Sequence, residues 1–324
     1  MPDNIGKTKL SELDIKLLCQ LDYNAHQTLT QLSKKLNRTK EAIGYRIKKL
    51  ESSRVLLRSH AIIDMSKLNY ETFRVYIKWQ NMTLREKNQF YDFLAQIPLV
   101  WTVAKLHGKW DMAFFIGCKK TNEFQNTWSQ IEENYKQKIA DYKIAIYSPI
   151  HNFNKRFLDT TFEQVIVRST GSHNLVNYDE LDEKILREFG KDVRQSLLNV
   201  AKVCNVSIET VRKRIKRLEL EKVIVGYKID LELSKLGFQG YRVDFSLNSI
   251  KRNKELFEYL KQHPYFYQIN ESIGGADFET EIVVKDLVQL LEILEEVSQR
   301  FKDVIRYYEY FGYTGFPTLS VVPD

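Results

Sequence analysis

The sequence predicts an α+β chain in which one unit, three helices followed by a β-α-β-β-α-β segment, is used twice. Three observations carry this. Shifted by 168 residues, positions 12–77 run against positions 180–245 without a gap, with 21 identities in 66 pairs. A repeat this long is a duplicated domain rather than a solenoid unit, which recurs every ~20–50 residues. Within each copy the apolar spacing changes from helical to alternating. The positive charge is concentrated in the same part of each copy.

Ser11 is placed to cap a first helix, with Leu13, Leu17, Leu18 and Leu21 on one face; Asp179, Leu181, Ile185, Leu186 and Phe189 repeat it. A short second helix carries Leu29, Leu32 and Leu36, matched by Leu197, Val200 and Cys204. It ends at Asn37 or Asn205, a residue type that tolerates the left-handed backbone of a tight turn. Thr39 or Ser207 then caps a third helix with Ile43, Ile47 and Leu50, or Val211, Ile215 and Leu218, inward. Two helices joined by a turn of about four residues, the second strongly basic, form a helix-turn-helix. Val55-Leu56-Leu57 and Val223-Ile224-Val225 are β-prone and lead into further extended chain, as a winged hairpin would.

Beyond the wing, Phe73, Val75 and Ile77 alternate as a strand, followed by a helix bearing Phe90, Phe93 and Leu94. Two apolar strands follow, separated by His107-Gly108-Lys109-Trp110-Asp111; then come a second helix (Phe124, Trp128, Ile131, Tyr135) and a strand around 144–147. This is the order of a ferredoxin-like antiparallel sheet with helices on one face. The second copy repeats it after a two-residue adjustment that aligns Pro98 with Pro264, with Ile273-Gly274-Gly275-Ala276-Asp277 as its central turn. In the connector, Val165-Ile166-Val167 suits an added strand, while Ser169–Ser172 reads as flexible linker. The expected division is 1–60 and 178–228 for the winged helix-turn-helix segments, 61–150 and 229–324 for the sheet segments, and 151–177 for the connector.

The formal net charge is +7 and the isoelectric point about 9.0. Residues 34–58 hold nine basic and two acidic side chains, and residues 202–226 hold seven and three, so the rest of the chain is net acidic. This is the electrostatic footprint a polyanion requires, although a merely solvated basic helix would show the same count. At 100° per residue, Glu41, Gly44, Tyr45, Lys48 and Lys49 lie opposite the core stripe of the third helix, as do Glu209, Arg212, Lys213, Lys216 and Arg217 in the second copy. The N-terminal part of such a helix meets base edges. Glu41, Gly44, Tyr45, Glu209, Arg212 and Lys213 are therefore the candidates for reading bases, and Lys48, Lys49, Lys216 and Arg217 for phosphates. Arg46 and Arg214 fall beside the core stripe, where a structural ion pair and a phosphate contact are both open.

Cys19, Cys118 and Cys204 are far apart and the six histidines are scattered, so neither a disulfide framework nor a zinc site is expected. No run of about 18 apolar residues exists for a membrane span, and the stretch 1–9 lacks an apolar signal core, which predicts a cytoplasmic chain without membrane contact. No P-loop, dinucleotide glycine fingerprint or catalytic triad spacing appears. No enzyme activity, cofactor or metal is expected.

A winged helix-turn-helix followed by a ferredoxin-like sheet resembles the Lrp/AsnC, or feast/famine, transcriptional regulators. Leu13-Asp14, Leu17-Leu18, Asn37, Thr39, the run from Arg46 to Glu51 and Ser66-Lys67-Leu68 carry the resemblance in copy one. Copy two is nearer the family pattern, with Leu181-Asp182, Ile185-Leu186, Arg194, Ser207, the run from Arg214 to Glu219, Val223-Ile224, Gly226-Tyr227 and Leu236-Gly237. Copy one has His26, Arg58 and Asn69 where copy two has Arg194, Gly226 and Gly237.

The resemblance implies a regulator of double-stranded DNA, with sheets that pair, here within one chain as a covalent pseudo-dimer, and that associate further. It also implies an amino acid or other small effector near a G-x-x-D turn, matched by Gly108 and Asp111 and by Gly274 and Asp277. The same turns are explained by hairpin geometry alone. Two rival expectations are a sirohaem decarboxylase, which is similar in architecture, and a metabolite sensor that keeps its helix-turn-helix only as scaffold. The predominantly basic recognition faces argue against the sensor. Against the decarboxylase, His107 is isolated in the stretch 104–115, and no arginine nearby would hold a propionate.

Overall fold

The computed structural model describes residues 8–319. The first unit runs α1 (Glu12–Tyr23), α2 (Leu29–Leu36), α3 (Lys40–Ser52), β1 (Leu56–Ile63), β2 (Glu71–Trp79), α4 (Leu84–Ala95), β3 (Val100–His107), β4 (Met112–Cys118), α5 (Thr121–Tyr135) and β5 (Ile139–Phe153). After β6 (Val167–Thr170), the second runs α6 (Glu180–Lys191), α7 (Leu197–Cys204), α8 (Ile208–Leu220), β7 (Ile224–Leu231), a short α9 (Leu233–Leu236), β8 (Gln239–Leu247), α10 (Asn253–Gln262), β9 (Phe266–Ile273), β10 (Phe278–Val284), α11 (Leu287–Arg300) and β11 (Ile305–Leu319).

The expected sheets form, in the expected order. Within each unit the fourth strand lies beside the first, then the third, then the second: β5-β2-β4-β3 and β11-β8-β10-β9. The two sheets then join at both free edges, β3 to β11 and β9 to β5, so that eight antiparallel strands close into a barrel with β6 added on β5. Closure gives each of the eight a neighbour on both sides over part of its length, covering sheet edges that would otherwise stand open. Alternation along each strand sends Phe73, Val75 and Ile77 outward under α4 and α5, and Tyr241, Val243 and Phe245 outward under α10 and α11. The intervening residues fill the barrel.

The wing strand of each copy finds its partner in the other copy. β1 runs antiparallel to β7, with Ser59 opposite Ile229 and Ala61 opposite Tyr227. Around this ribbon a single hydrophobic core takes Leu17, Leu18 and Leu21 from α1 together with Ile185, Leu186 and Phe189 from α6. The two three-helix bundles therefore share one interior.

The connector departs from expectation. Residues 169–172 are not loose linker: Val167–Thr170 pair with β5, Ile150 opposite Thr170 and His151 opposite Ser169. The buried carboxylate of Asp64 then accepts hydrogen bonds from the Gly171 amide at 2.8 Å and from the Ser172 amide and hydroxyl at 3.2 and 2.9 Å. Small polar residues suit a linker by composition, but here their amides have a buried acceptor to satisfy. Val165 and Ile166, expected in a strand, precede it. Of the polar N-terminal stretch 1–9, residues 1–7 lie outside the described residues.

Candidate nucleic-acid interface

Each third helix is anchored by the cap of the first. Ser11 and Asp14 form a reciprocal capping box on α1, and the Arg46 guanidinium reaches from α3 to Asp14 at 2.8 Å and to the Ser11 hydroxyl at 3.0 Å. Burial works against ionisation of Asp14, but the Ser11 hydroxyl and amide and Arg46 hold its carboxyl below the usual value. In the second copy Arg214 donates to Asp179 at 2.7 Å and to Asp182 at 3.0 Å. Arg46 and Arg214 thus tie helix to helix through ion pairs, one of the two roles open to them from their position beside the core stripe.

Asn37 and Asn205 take left-handed conformations, φ 51° and 55°, and Thr39 and Ser207 cap α3 and α8 through the amides of Ala42 and Thr210. The turns therefore fix how far each third helix projects. On α3, Glu41, Tyr45, Lys48 and Lys49 are exposed, and Gly44 is half-buried. On α8, Glu209, Arg212, Lys213 and Lys216 are exposed, and Arg212 lies 2.6 Å from Glu209 one turn away. Arg217, expected on a phosphate, is instead turned toward the helix pair: it ion-pairs with the buried Asp182 and lies 3.8 Å from Glu221. Its copy-one counterpart Lys49 makes no ion pair among the described residues.

Rotation of the third helix alone passes over a second group of basic side chains. Lys34 and Lys35 at the end of α2, Arg38 in the turn and Lys40 at the start of α3 are all exposed. They lie within the basic stretch 34–58 and are brought to the start of α3 by the packing of α2 against it.

The two heads are locked together at equivalent loops. Arg194, between α6 and α7, donates to the carbonyls of Ala25 and Gln27 in the first copy at 3.2 and 3.0 Å. His26, its positional counterpart, packs its ring 5.1 Å from Phe189 and 4.9 Å from Tyr227 in the second copy. Arg168 from β6 closes over the end of α1, donating to the carbonyls of Asp22 and Tyr23.

The candidate effector turns are built alike. Gly108 and Gly274 have φ of 114° and 83°. Asp111 accepts from the Trp79 amide at 2.9 Å and Asp277 from the Leu247 amide at 2.7 Å, each carboxylate fastening the end of its unit's first strand. A Cβ at Gly274 would stand 2.9 Å from the Ile144 carbonyl on β5, and one at Gly108 would stand 3.2 Å from Phe311 on β11. The glycines are therefore needed where each turn meets the other unit's fourth strand. Trp110 is buried and stacks on Tyr76, with ring centroids 5.5 Å apart.

Inside the barrel both units keep an arginine, Arg74 and Arg242, but other equivalent positions carry unlike chemistry: the first unit has Tyr76 and Ala113, packed with Trp110 and Phe311, where the second has Asp244 and Glu279. Arg74 makes a bidentate pair with Glu279 at 2.6 and 2.7 Å, and Arg242 bonds Glu279 and lies 3.1 Å from Asp244. Burial disfavours a charged Glu279, but Arg242 and Arg74 hold its carboxyl below the usual value. The Arg74–Glu279 pair spans the two units.

The sequence comparisons agree with this geometry. An AsnC-type helix-turn-helix domain model matches residues 179–219, and a winged helix-turn-helix DNA-binding model matches residues 10–56. The HTH-type transcriptional regulator LrpA of Pyrococcus abyssi is 31% identical over 116 residues, 36% of this chain and 82% of that protein. The HTH-type transcriptional regulator Ptr1 of Methanocaldococcus jannaschii is 26% identical over 118 residues, 36% of this chain and 80% of that protein. Over the whole chain the fold is similar to the crystal structure of the siroheme decarboxylase NirDL, with a TM-score of 0.63, 11% identity, and coverage of 96% of this chain and 94% of that one. These findings place the chain among winged helix-turn-helix DNA-binding proteins. It belongs to the Lrp/AsnC family of transcriptional regulators.

Proposed function

We propose that the chain regulates transcription by sequence-specific binding to double-stranded DNA, acting as a covalent pseudo-dimer that presents both third helices to one duplex. The observation that carries this is the exposure of α3 and α8 on two bundles sharing one core, so that the two heads keep a fixed separation. Glu41, Gly44, Tyr45, Glu209, Arg212 and Lys213 lie toward the N-terminal part of their helices and are assigned to base edges. Lys48, Lys49 and Lys216 are assigned to phosphates, with Arg217 secondary because it is already paired with Asp182. Selection of random duplexes across a salt series tests the reading: an enriched sequence, bound more weakly as salt rises, is expected, because each phosphate contact releases counterions. Affinity indifferent to salt, or no enrichment, overturns it.

A small effector, an amino acid among the candidates, is assigned to the turns at Gly108 and Asp111 and at Gly274 and Asp277. Both turns reach the surface at the seams between the two sheets, where a ligand would bear on barrel closure. Pseudo-dimers are expected to associate further through the sheet segments. Amino acids that shift neither the Tm nor DNA affinity would remove the effector assignment.

A second reading is favoured by one observation, the whole-length fold likeness to a siroheme decarboxylase. The barrel interior weighs against it: Arg74 and Arg242 are spent on Glu279, and His107, at the end of β3, has its ring 6.4 Å from that of Tyr241, which packs into the core outside the barrel. An absorbance shift on adding a sirohaem-type tetrapyrrole would bring this reading forward.

A further inference from the structure

The two heads do not carry their exposed charge in the same place. In the first copy, four basic residues crowd the end of α2 and the turn into α3: Lys34, Lys35, Arg38 and Lys40, all exposed. At the equivalent positions the second copy keeps Lys202 but has Val203, Val206 and Ile208, and two of these apolar side chains are open to solvent, Val203 at 50% and Ile208 at 37%. On the outward face of the third helix the exchange runs the other way. The second copy has Arg212 and Lys213, where the first has Gly44 and a 69% exposed Tyr45.

Gly44 is not imposed by packing. A Cβ there would meet nothing closer than Leu29 Cδ1 at 3.6 Å, an ordinary contact, and the residue is absent from the positive-φ positions. Among the described residues, Lys34, Lys35 and Lys40 form no ion pair; Lys35 lies 5.0 Å over the Tyr23 ring, a contact that leaves its charge without a counter-ion. Cations beside a helix-turn-helix bind backbone phosphates without regard to sequence, whereas bidentate or paired donors on the N-terminal face of the third helix discriminate between bases.

Resting on the reading of the chain as a DNA-binding regulator, we propose that the heads divide the work on one duplex, with Glu41, Gly44 and Tyr45 facing the bases but discriminating little between them. The first head is a phosphate clamp of low sequence preference, held by Lys34, Lys35, Arg38 and Lys40. The second head reads sequence, through Arg212 and Lys213. The preferred site is then a single half-site with an unspecified flank, not a palindrome.

Selection of random duplexes by the full chain is expected to enrich one half-site, inside a protected footprint longer by roughly one helical turn. In the combined variant Lys35→Gln, Arg38→Gln and Lys40→Gln, affinity should fall by the same factor on every sequence. The slope of log affinity against log salt should fall by about 2–3 units, and the motif should be unchanged. Lys213→Ala should flatten the motif by about tenfold or more at one position. Gly44→Arg with Tyr45→Lys, which transplants the second head's face onto the first, should add a second half-site. Two equal half-sites from the unmodified chain, a motif altered by the triple variant, or no added half-site from the transplant each overturns the division of labour. Absence of salt-dependent binding by the unmodified chain is a different result, since it removes the regulator reading itself.

Discussion

Asp182 is wholly buried, yet it takes guanidinium groups from both Arg214 and Arg217 and caps the start of α6 with Asp179. Removing it takes a charged acceptor from two guanidinium groups and the reciprocal cap from α6, although both arginines keep some contact with water. Asp182→Ala should therefore lose about 3 kcal/mol in chemical denaturation. Asp14→Ala, which releases one guanidinium from a less enclosed site, should lose nearer 2 kcal/mol. Equal losses would contradict the role given to Arg217.

His60 sits in the ribbon between the two copies, 3.2 Å from Asp230, with Arg58 on the same carboxylate and Lys228 opposite in register. Burial pushes its imidazole below the ordinary 6.5, and the attraction of Asp230 offsets this only in part. A base whose folded value is depressed binds fewer protons than in the unfolded chain, so stability holds above pH 6.5 and is lost as pH falls below it toward the folded value. Calorimetry between about pH 7.5 and 5.5 should show the Tm falling on the acid side, and less steeply in His60→Gln. Because burial lowers His26, His151 and His263 in the same direction, the variant should reduce the slope without removing it.

Among the elements, the two kinds of glycine behave oppositely. Gly44 lies inside α3 with room for a methyl group, so Gly44→Ala should raise stability by about 0.5–1 kcal/mol through the helix alone. Gly274 has φ of 83° and its missing Cβ would press on the Ile144 carbonyl, so Gly274→Ala should cost about 1–3 kcal/mol and loosen the seam between β5 and β9. Thermal denaturation of the two variants separates the signs. The helices themselves were legible in the sequence because caps and apolar spacing are local: Ser11, Thr39, Asp179 and Ser207 stand at their N-caps. The added strand of the connector was legible only in part: Val167 suits it by type, but Arg168, Ser169 and Thr170 belong there by pairing with β5, beside the Gly171 amide that meets Asp64.

At the scale of the whole molecule, the shared core of the two heads makes a definite claim about cooperativity. Leu18 is fully buried in an interior that also holds Ile185, Leu186 and Phe189. Leu18→Ala should cost about 2–5 kcal/mol. Hydrogen exchange should show protection falling in α6 and α8 as well as in α1 and α3, whereas independent heads would confine the loss to the first. Barrel closure acts similarly on the sheets, since the Arg74–Glu279 pair belongs to neither unit alone.

The repeated unit, most of the secondary structure within it, the basic third helices and the family follow from the amino-acid order alone. All of these rest on spacing over a few turns or on side-chain type, and both survive in a linear string. That β1 pairs with β7 rather than with a hairpin partner, that the two sheets close on each other, and that Arg46, Arg214 and Arg217 turn toward carboxylates emerges only from the folded packing. Those outcomes depend on which of several equally suitable partners lies within a few ångströms once the chain is folded. Spacing along the sequence carries no record of that distance.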